Sequence, residues 1–373
     1  MRFLTDHTKS AILLFACLVV FSGNASASPT MIRLGYARCG ACHLAPLGAG
    51  LLTDYGKGID DAQSLRRKEY QPPDPTQSPW FRYDGRFLAS GYATTANDAG
   101  GRPTPPAWLR SYFRTSTALG ARHRIAATAY LESPAGDIER FLDSRPTVDV
   151  LAAYEYEPSD VVTLAVARDR LPRGVELGET RTILQSTDDE RFPTQVRAYV
   201  GNERVLVTGY GYGPGSETAW TREAYGAGAL GEVQFFGNHV VVGASARREF
   251  RHTFDSNTWG AYARLGFGSW GILAEHEYSD RWSEADGLLM TDRYLGYTQL
   301  FVAAREWLVT SVIAEQARDT TAPHVWAIRW RPEVQARLSS NFTITASVRT
   351  DWRRGTAGAA RIYLIQAAIK TVQ

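Results

Sequence analysis

Phe342-Thr343-Ile344-Thr345-Ala346-Ser347-Val348-Arg349-Thr350-Asp351 alternates apolar and polar residues. Side chains of a strand point to opposite faces in turn, so Phe342, Ile344, Ala346 and Val348 share one face while Thr343, Thr345, Ser347 and Arg349 share the other. Trp259, Ala261, Ala263, Leu265 and Phe267 oppose Tyr262 and Arg264 in the same way. Working outward, about sixteen such segments follow Trp80, from 85–95 to 361–370, an even number as bacterial outer-membrane barrels require.

The connections sharpen this reading. Gly201-Asn202, Gly237-Asn238 and Gly268-Ser269 have the composition of two-residue hairpin turns. Longer polar stretches, such as Leu171 to Phe192, Gly213 to Arg222 and Asp280 to Thr291, lie between the short ones. Short periplasmic turns alternating with long extracellular loops are the habit of outer-membrane barrels. A soluble sandwich or propeller explains alternating faces but not this series, and no blade-length repeat is present. The expected fold is therefore all-β: an outer-membrane barrel over residues 80–373. Against it stands the ending Ile369-Lys370-Thr371-Val372-Gln373, without a terminal aromatic. The connection after the first strand, Asn97 to Ala107, is long and hence extracellular, which puts the start of that strand in the periplasm.

Composition agrees. The chain is 44% hydrophobic, too apolar for disorder, and its formal net charge of +2 gives no basis for nucleic-acid binding. Arg2 and Lys9, the apolar run Ala11 to Phe21, and Ala25-Ser26-Ala27 predict a secretory signal over residues 1–27. Cys17 would leave with it, so the mature chain keeps Cys39 and Cys42.

Those two cysteines stand in Cys39-Gly40-Ala41-Cys42-His43. Cys-x-x-Cys-His is the attachment motif of c-type haem: two thiols reach the vinyl groups of one porphyrin edge, and the adjacent histidine ligates the iron. A thioredoxin-like pair belongs in a βαβ unit, which is missing before Cys39. A zinc site needs further Cys or His ligands nearby, and none follows until His123. A plain disulfide leaves His43 unexplained. Residues 28–79 thus read as a monohaem cytochrome segment, with a helical turn or two near Leu51 to Lys57. A segment this short cannot wrap a haem alone, so another surface must cover it.

The motif does not supply the distal ligand. Met31 is close in sequence, and a tight reversal at Gly35 would fold it back over the ring. His239 lies at the inner end of its strand, with Ser245 and Arg247 on its face, and is the second candidate. Water or another group remains open. His123 and His276 share parity with expected lipid-side residues, while His252, His324 and Met290 fall at outer ends or in a loop. Arg110, Arg114, Arg124, Arg197, Arg204 and Arg264 are candidate lumen positions, either as pore lining or as propionate partners. Asp188, Asp189 and Glu190 read as solvated loop charge or as a cation collector.

This arrangement resembles the fused monohaem cytochrome–porins of iron-oxidising bacteria, in which a short cytochrome segment precedes an outer-membrane barrel. Pro29, ten residues before Cys39, and Arg33, six before it, match that family's motif. Met31, Leu34 and Gly35 replace its aromatic, glutamine and threonine. The resemblance implies one-electron transfer across the outer membrane between an extracellular donor or acceptor, Fe(II) among them, and a periplasmic electron-carrier cytochrome. An electron carrier is expected rather than a substrate-converting enzyme. Two other readings stay open: a solute porin with a structural or sensing haem, and a haem peroxidase-like enzyme with an open sixth position.

Overall fold

The computed structural model describes residues 29–36, 42–44, 51–66, 80–94, 107–132, 147–175, 192–202, 204–213, 224–251, 254–283, 288–319, 325–339, 341–353 and 360–372. Sixteen antiparallel strands follow one another around a closed barrel, and the first pairs with the last. Closure removes every strand edge, which the interior of a membrane demands.

The strands are β1 (Phe81–Thr94), β2 (Ala107–Ala118), β3 (His123–Glu132), β4 (Thr147–Ser159), β5 (Val162–Arg168), β6 (Thr194–Gly201), β7 (Val205–Tyr212) and β8 (Tyr225–Phe235). After them come β9 (Val240–Phe250), β10 (Phe254–Phe267), β11 (Trp270–Ser283), β12 (Leu289–Arg305), β13 (Leu308–Asp319), β14 (Val325–Ser339), β15 (Phe342–Arg353) and β16 (Ala360–Val372). Before the barrel stand a 3-10 helix, Pro29–Leu34, and one α-helix, α1 (Asp54–Ala62). The helix expected near Leu51 starts at Asp54 instead, because Thr53 caps it: its Oγ1 accepts from the Gly56 amide at 3.0 Å.

The two faces are inverted relative to a soluble β-protein. Val196, Val207, Trp259, Leu300, Trp330 and Ile365 are exposed on the outside. Asp84, Arg114, Glu232, Arg264, Glu275 and Thr345 are buried within. On β15 the sequence alternation reads directly: Thr343, Thr345 and Ser347 are buried in the lumen and Ala346 is exposed outside. Aromatic side chains mark both rims, Trp282 and Trp352 at the long-loop end and Phe267 packed on Trp270 (centroids 5.8 Å apart) at the other. This is the transverse order of a membrane barrel: apolar band, aromatic girdles, polar interior.

The turns differ in detail from their reading in sequence. Gly268-Ser269 is the expected two-residue turn, with Gly268 at φ 59°. The Gly237-Asn238 turn spans four residues, 236–239, because Phe236, Gly237 and Asn238 all take positive φ (51°, 61° and 71°). After β6 the Asn202 side chain accepts from the backbone amides of Arg204 (2.9 Å) and Val205 (3.1 Å), an Asx turn that needs more than two residues. Arg204 therefore sits exposed at a turn, not in the lumen.

Part of the lumen wall is apolar. Ile32 of the 3-10 helix and Val175, from the chain after β5, join Leu230, Val241, Tyr262, Leu273, Tyr297 and Phe301 of the wall in one buried cluster. Lumen-facing Gly266 makes the docking possible: a Cβ there would overlap the Arg33 backbone and crowd Ile32. Gly266→Val is therefore expected to expel the 3-10 helix while leaving the barrel closed. Limited proteolysis before β1 should become fast, with the barrel's heat-modifiable migration unchanged; protection equal to wild type would contradict this packing.

Candidate functional site

The N-terminal segment enters the barrel at the short-turn end and is tied to strands spaced around the wall. Arg82 on β1 forks onto Asp54 of α1, both N–O distances being 2.8 Å. Arg124 on β3 donates to the Leu44 carbonyl at 2.7 Å, directly after His43. Arg337 on β14 pairs with buried Asp60 at 2.8 Å, and its carbonyl accepts from the Leu65 amide at 2.9 Å. Arg33 reaches Gln63 Oε1 at 2.5 Å and the Gly268 carbonyl at 3.3 Å, joining the segment to the β10–β11 turn. Burial, reinforced by the positive charge of Arg337, lowers the pKa of Arg33 from its ordinary value.

Within the segment, Cys42 and His43 are held by a short two-stranded bridge. His43 pairs with Leu52, the Thr53 amide donates to the Cys42 carbonyl at 2.9 Å, and the Leu44 amide donates to Leu51 at 2.9 Å. Cys42 is buried with Leu52, and α1 crosses so closely at Gly56 that a Cβ would overlap the Cys42 backbone. Tyr55 beside it donates to the Tyr36 hydroxyl at 2.7 Å. That bond holds the Tyr55 phenol up at about 12, so it stays a protonated donor at any physiological pH. Cys39 lies outside the described residues.

Of the two distal candidates, Met31 is buried in the 3-10 helix, followed by a reversal in which Gly35 (φ 83°) donates to Ile32 at 3.0 Å. His239 belongs to the β8–β9 turn and shares parity with lumen-buried Val241. His123 and His276 point outward, as their parity implied, hydrogen-bonded to Tyr154 and Tyr294 at 2.7 Å each. His252, His324, Asp188, Asp189, Glu190 and the side chains of Met290 and Arg110 lie outside the described residues.

The lumen arginines are engaged by carboxylates of the wall. Arg114 makes a two-pronged pair with Asp84 (2.7 and 2.5 Å), Arg124 binds Glu155, and Arg264 meets Glu232 at 2.6 Å. Arg197 reaches Asp169 at 3.2 Å. Sequence parity found these side chains but not their partners: Asp84 and Glu155 stand opposite Arg114 and Arg124 on the adjacent strand, whereas Glu232 lies on β8, two strands from Arg264. Sequence reasoning also missed the inward course of residues 169–175. Gly174 and Val175 donate their amides to Glu275 at 3.1 and 2.9 Å, and Arg264 donates to the Gly174 carbonyl at 3.3 Å. The Gly174-Val175 pair gave no distinct signal, because the same connection also holds Leu171, Leu177, Ile183 and Leu184.

The architecture is the barrel fold seen in outer-membrane porins. The anion-selective porin from Comamonas acidovorans superposes with a TM-score of 0.59 at 10% identity, over 79% of this chain and 99% of that one. OmpT of Vibrio cholerae in its trimer form gives 0.58 at 11% identity, over 78% and 98%. OmpF of Salmonella typhi gives 0.57 at 9% identity, over 78% and 97%. No model of a known protein family matches the chain, and no curated protein does. The chain thus has a porin-like barrel.

Proposed function

We propose that this protein is a one-haem electron conduit of the outer membrane, with the haem held at the periplasmic end of the barrel by Cys39, Cys42 and His43. The observation that carries this reading is the placement of the Cys42-His43 bridge: its segment is tied inside the short-turn end to β1, β3, β10, β11 and β14. The donor set, thiol beside imidazole on a bridge held at both ends, suits a covalently attached porphyrin. The apolar lumen wall and the segment's own helix offer the cover that a fifty-residue domain lacks. Haem bound there would supply a centre that takes up and gives back one electron.

The chain's own residues do the rest. Ion pairs at Arg82–Asp54 and Arg337–Asp60 fix the segment against the wall, and Arg124 holds the chain at Leu44, one residue past the proximal imidazole. From the other end, residues 169–175 fold inward onto Tyr262 and Glu275 and reach the cluster that contains Ile32. Plug and inward stretch together narrow the insulating path between the outside and the periplasm. They also take up part of the lumen that a solute porin would use. The partners this implies are an extracellular donor or acceptor and a periplasmic electron-carrier cytochrome, as in the cytochrome–porins that the chain resembles.

Topology tests this placement. Epitope tags in the connection between Val175 and Phe192 should be reached by antibody on intact cells, and tags at Asn202 or Asn238 should not. Reversed labelling would put the plug on the outer surface and overturn the proposed direction of contact with periplasmic partners.

A further inference from the structure

We infer that residues 169–175 are a latch on the N-terminal plug: the two pack into one buried cluster inside the lumen, so that releasing either one loosens the other. A disturbance at the long-loop end of the barrel thereby reaches the short-turn end. The inference goes beyond the haem reading and does not depend on it.

Latch and plug enter from opposite ends and meet on one strand. β10 presents Tyr262, Arg264 and Gly266 to the lumen in succession, about 7 Å from one to the next. The first two hold the latch. Gly174 lies so close to the Tyr262 ring that a Cβ would overlap it, and its carbonyl accepts from Arg264 at 3.3 Å. Tyr262 is itself fixed: its ring crosses Gly243 of β9 where a Cβ would overlap it, and its hydroxyl donates to Glu232 at 3.2 Å. On β11, buried Glu275 accepts from the Gly174 and Val175 amides at 3.1 and 2.9 Å, and Arg173 lies 3.8 Å from Glu277. Gly266, the third position on β10, receives the Arg33 backbone and Ile32 of the plug. Val175 and Ile32 are then buried in the same cluster with Tyr262, Leu273 and Phe301. Withdrawing either one leaves a gap in that cluster, which weakens the packing of the other. Coupling of this kind runs equally in both directions. Arg82 and Arg337 hold the rest of the segment by ion pairs that do not involve the latch, so the response falls on the 3-10 helix.

The test is amide hydrogen exchange on the full-length protein in detergent, in the wild-type background and in the Cys39→Ala, Cys42→Ala background. Gly174→Val, which forces the latch off Tyr262, should speed exchange of the Gly35 and Tyr36 amides by about tenfold. In wild type these donate to the Ile32 and Met31 carbonyls at 3.0 and 3.4 Å. Gly266→Val, which displaces the plug, should in turn speed exchange of the Gly174 and Val175 amides. Val175→Ala serves if Gly174→Val fails to fold, and should move the Gly35 and Tyr36 amides in the same direction by a smaller factor. Acceleration confined to the mutated segment, in either direction, overturns the inference. A two-way response in protein whose mass shows no haem adduct leaves the latch standing while the proposed function fails. Haem-loaded protein without that response overturns the latch alone.

Discussion

Replacing Cys39 and Cys42 together by alanine is expected to abolish covalent haem completely, while the barrel still forms. Each proposed thioether would be a covalent bond from one of these sulfurs, and the remaining cysteine of the sequence, Cys17, lies in the expected signal. Intact-protein mass spectrometry should show one haem adduct on wild type and none on the double variant, with heme staining of gels lost in parallel. The barrel should migrate as a folded, heat-modifiable species in both, because its ladder of strand pairs does not pass through Cys42. An adduct that persists in the double variant, or a wild-type mass without haem from cells competent in haem attachment, would defeat the reading.

The second large effect concerns the plug. Asp60 is 2% exposed and Arg337 7%, with their charged atoms 2.8 Å apart. Arg337→Ala leaves a buried carboxylate without its counter-ion, at a cost of about 3–5 kcal/mol. The loss falls on the docking of the segment and not on the closed sheet, so it should appear as local opening. Amide exchange at Leu65 and Arg66, which donate to the Arg337 and Leu338 carbonyls, should accelerate by about a hundredfold or more. Removing both charges with Arg337→Ala and Asp60→Ala should recover much of the protection, since the carboxylate is then removed together with its counter-ion. Equal exchange in wild type and Arg337→Ala would show that the plug is held elsewhere.

The legible parts of the molecule are those that a local period encodes. Alternation along Phe342 to Asp351 or Trp259 to Phe267 marked both strand and face, because a strand's side chains answer only to their neighbours two residues away. The same parity placed His123 and His276 outward. The segment around Cys42 was legible as chemistry and not as placement. Its docking depends on Arg82, Arg124 and Arg337, which are far away in sequence and meet it only once the barrel closes. The inward stretch at Gly174 and Val175 was likewise hidden, since its partner Glu275 is one hundred residues further on. Arg204 was misplaced because turn chemistry at Asn202 overrode strand parity.

Electron passage through the barrel is measured most directly in liposomes. Haem-loaded protein is reconstituted into vesicles that contain a trapped redox dye, and a membrane-impermeant reductant is added outside. The account predicts reduction of the trapped dye with wild type, at the level of protein-free vesicles with the Cys39→Ala, Cys42→Ala variant, while a small permeant sugar added outside does not exchange faster than in protein-free vesicles. Dye reduction that is absent with haem-loaded wild type, or that proceeds equally with the haem-free variant, would contradict it.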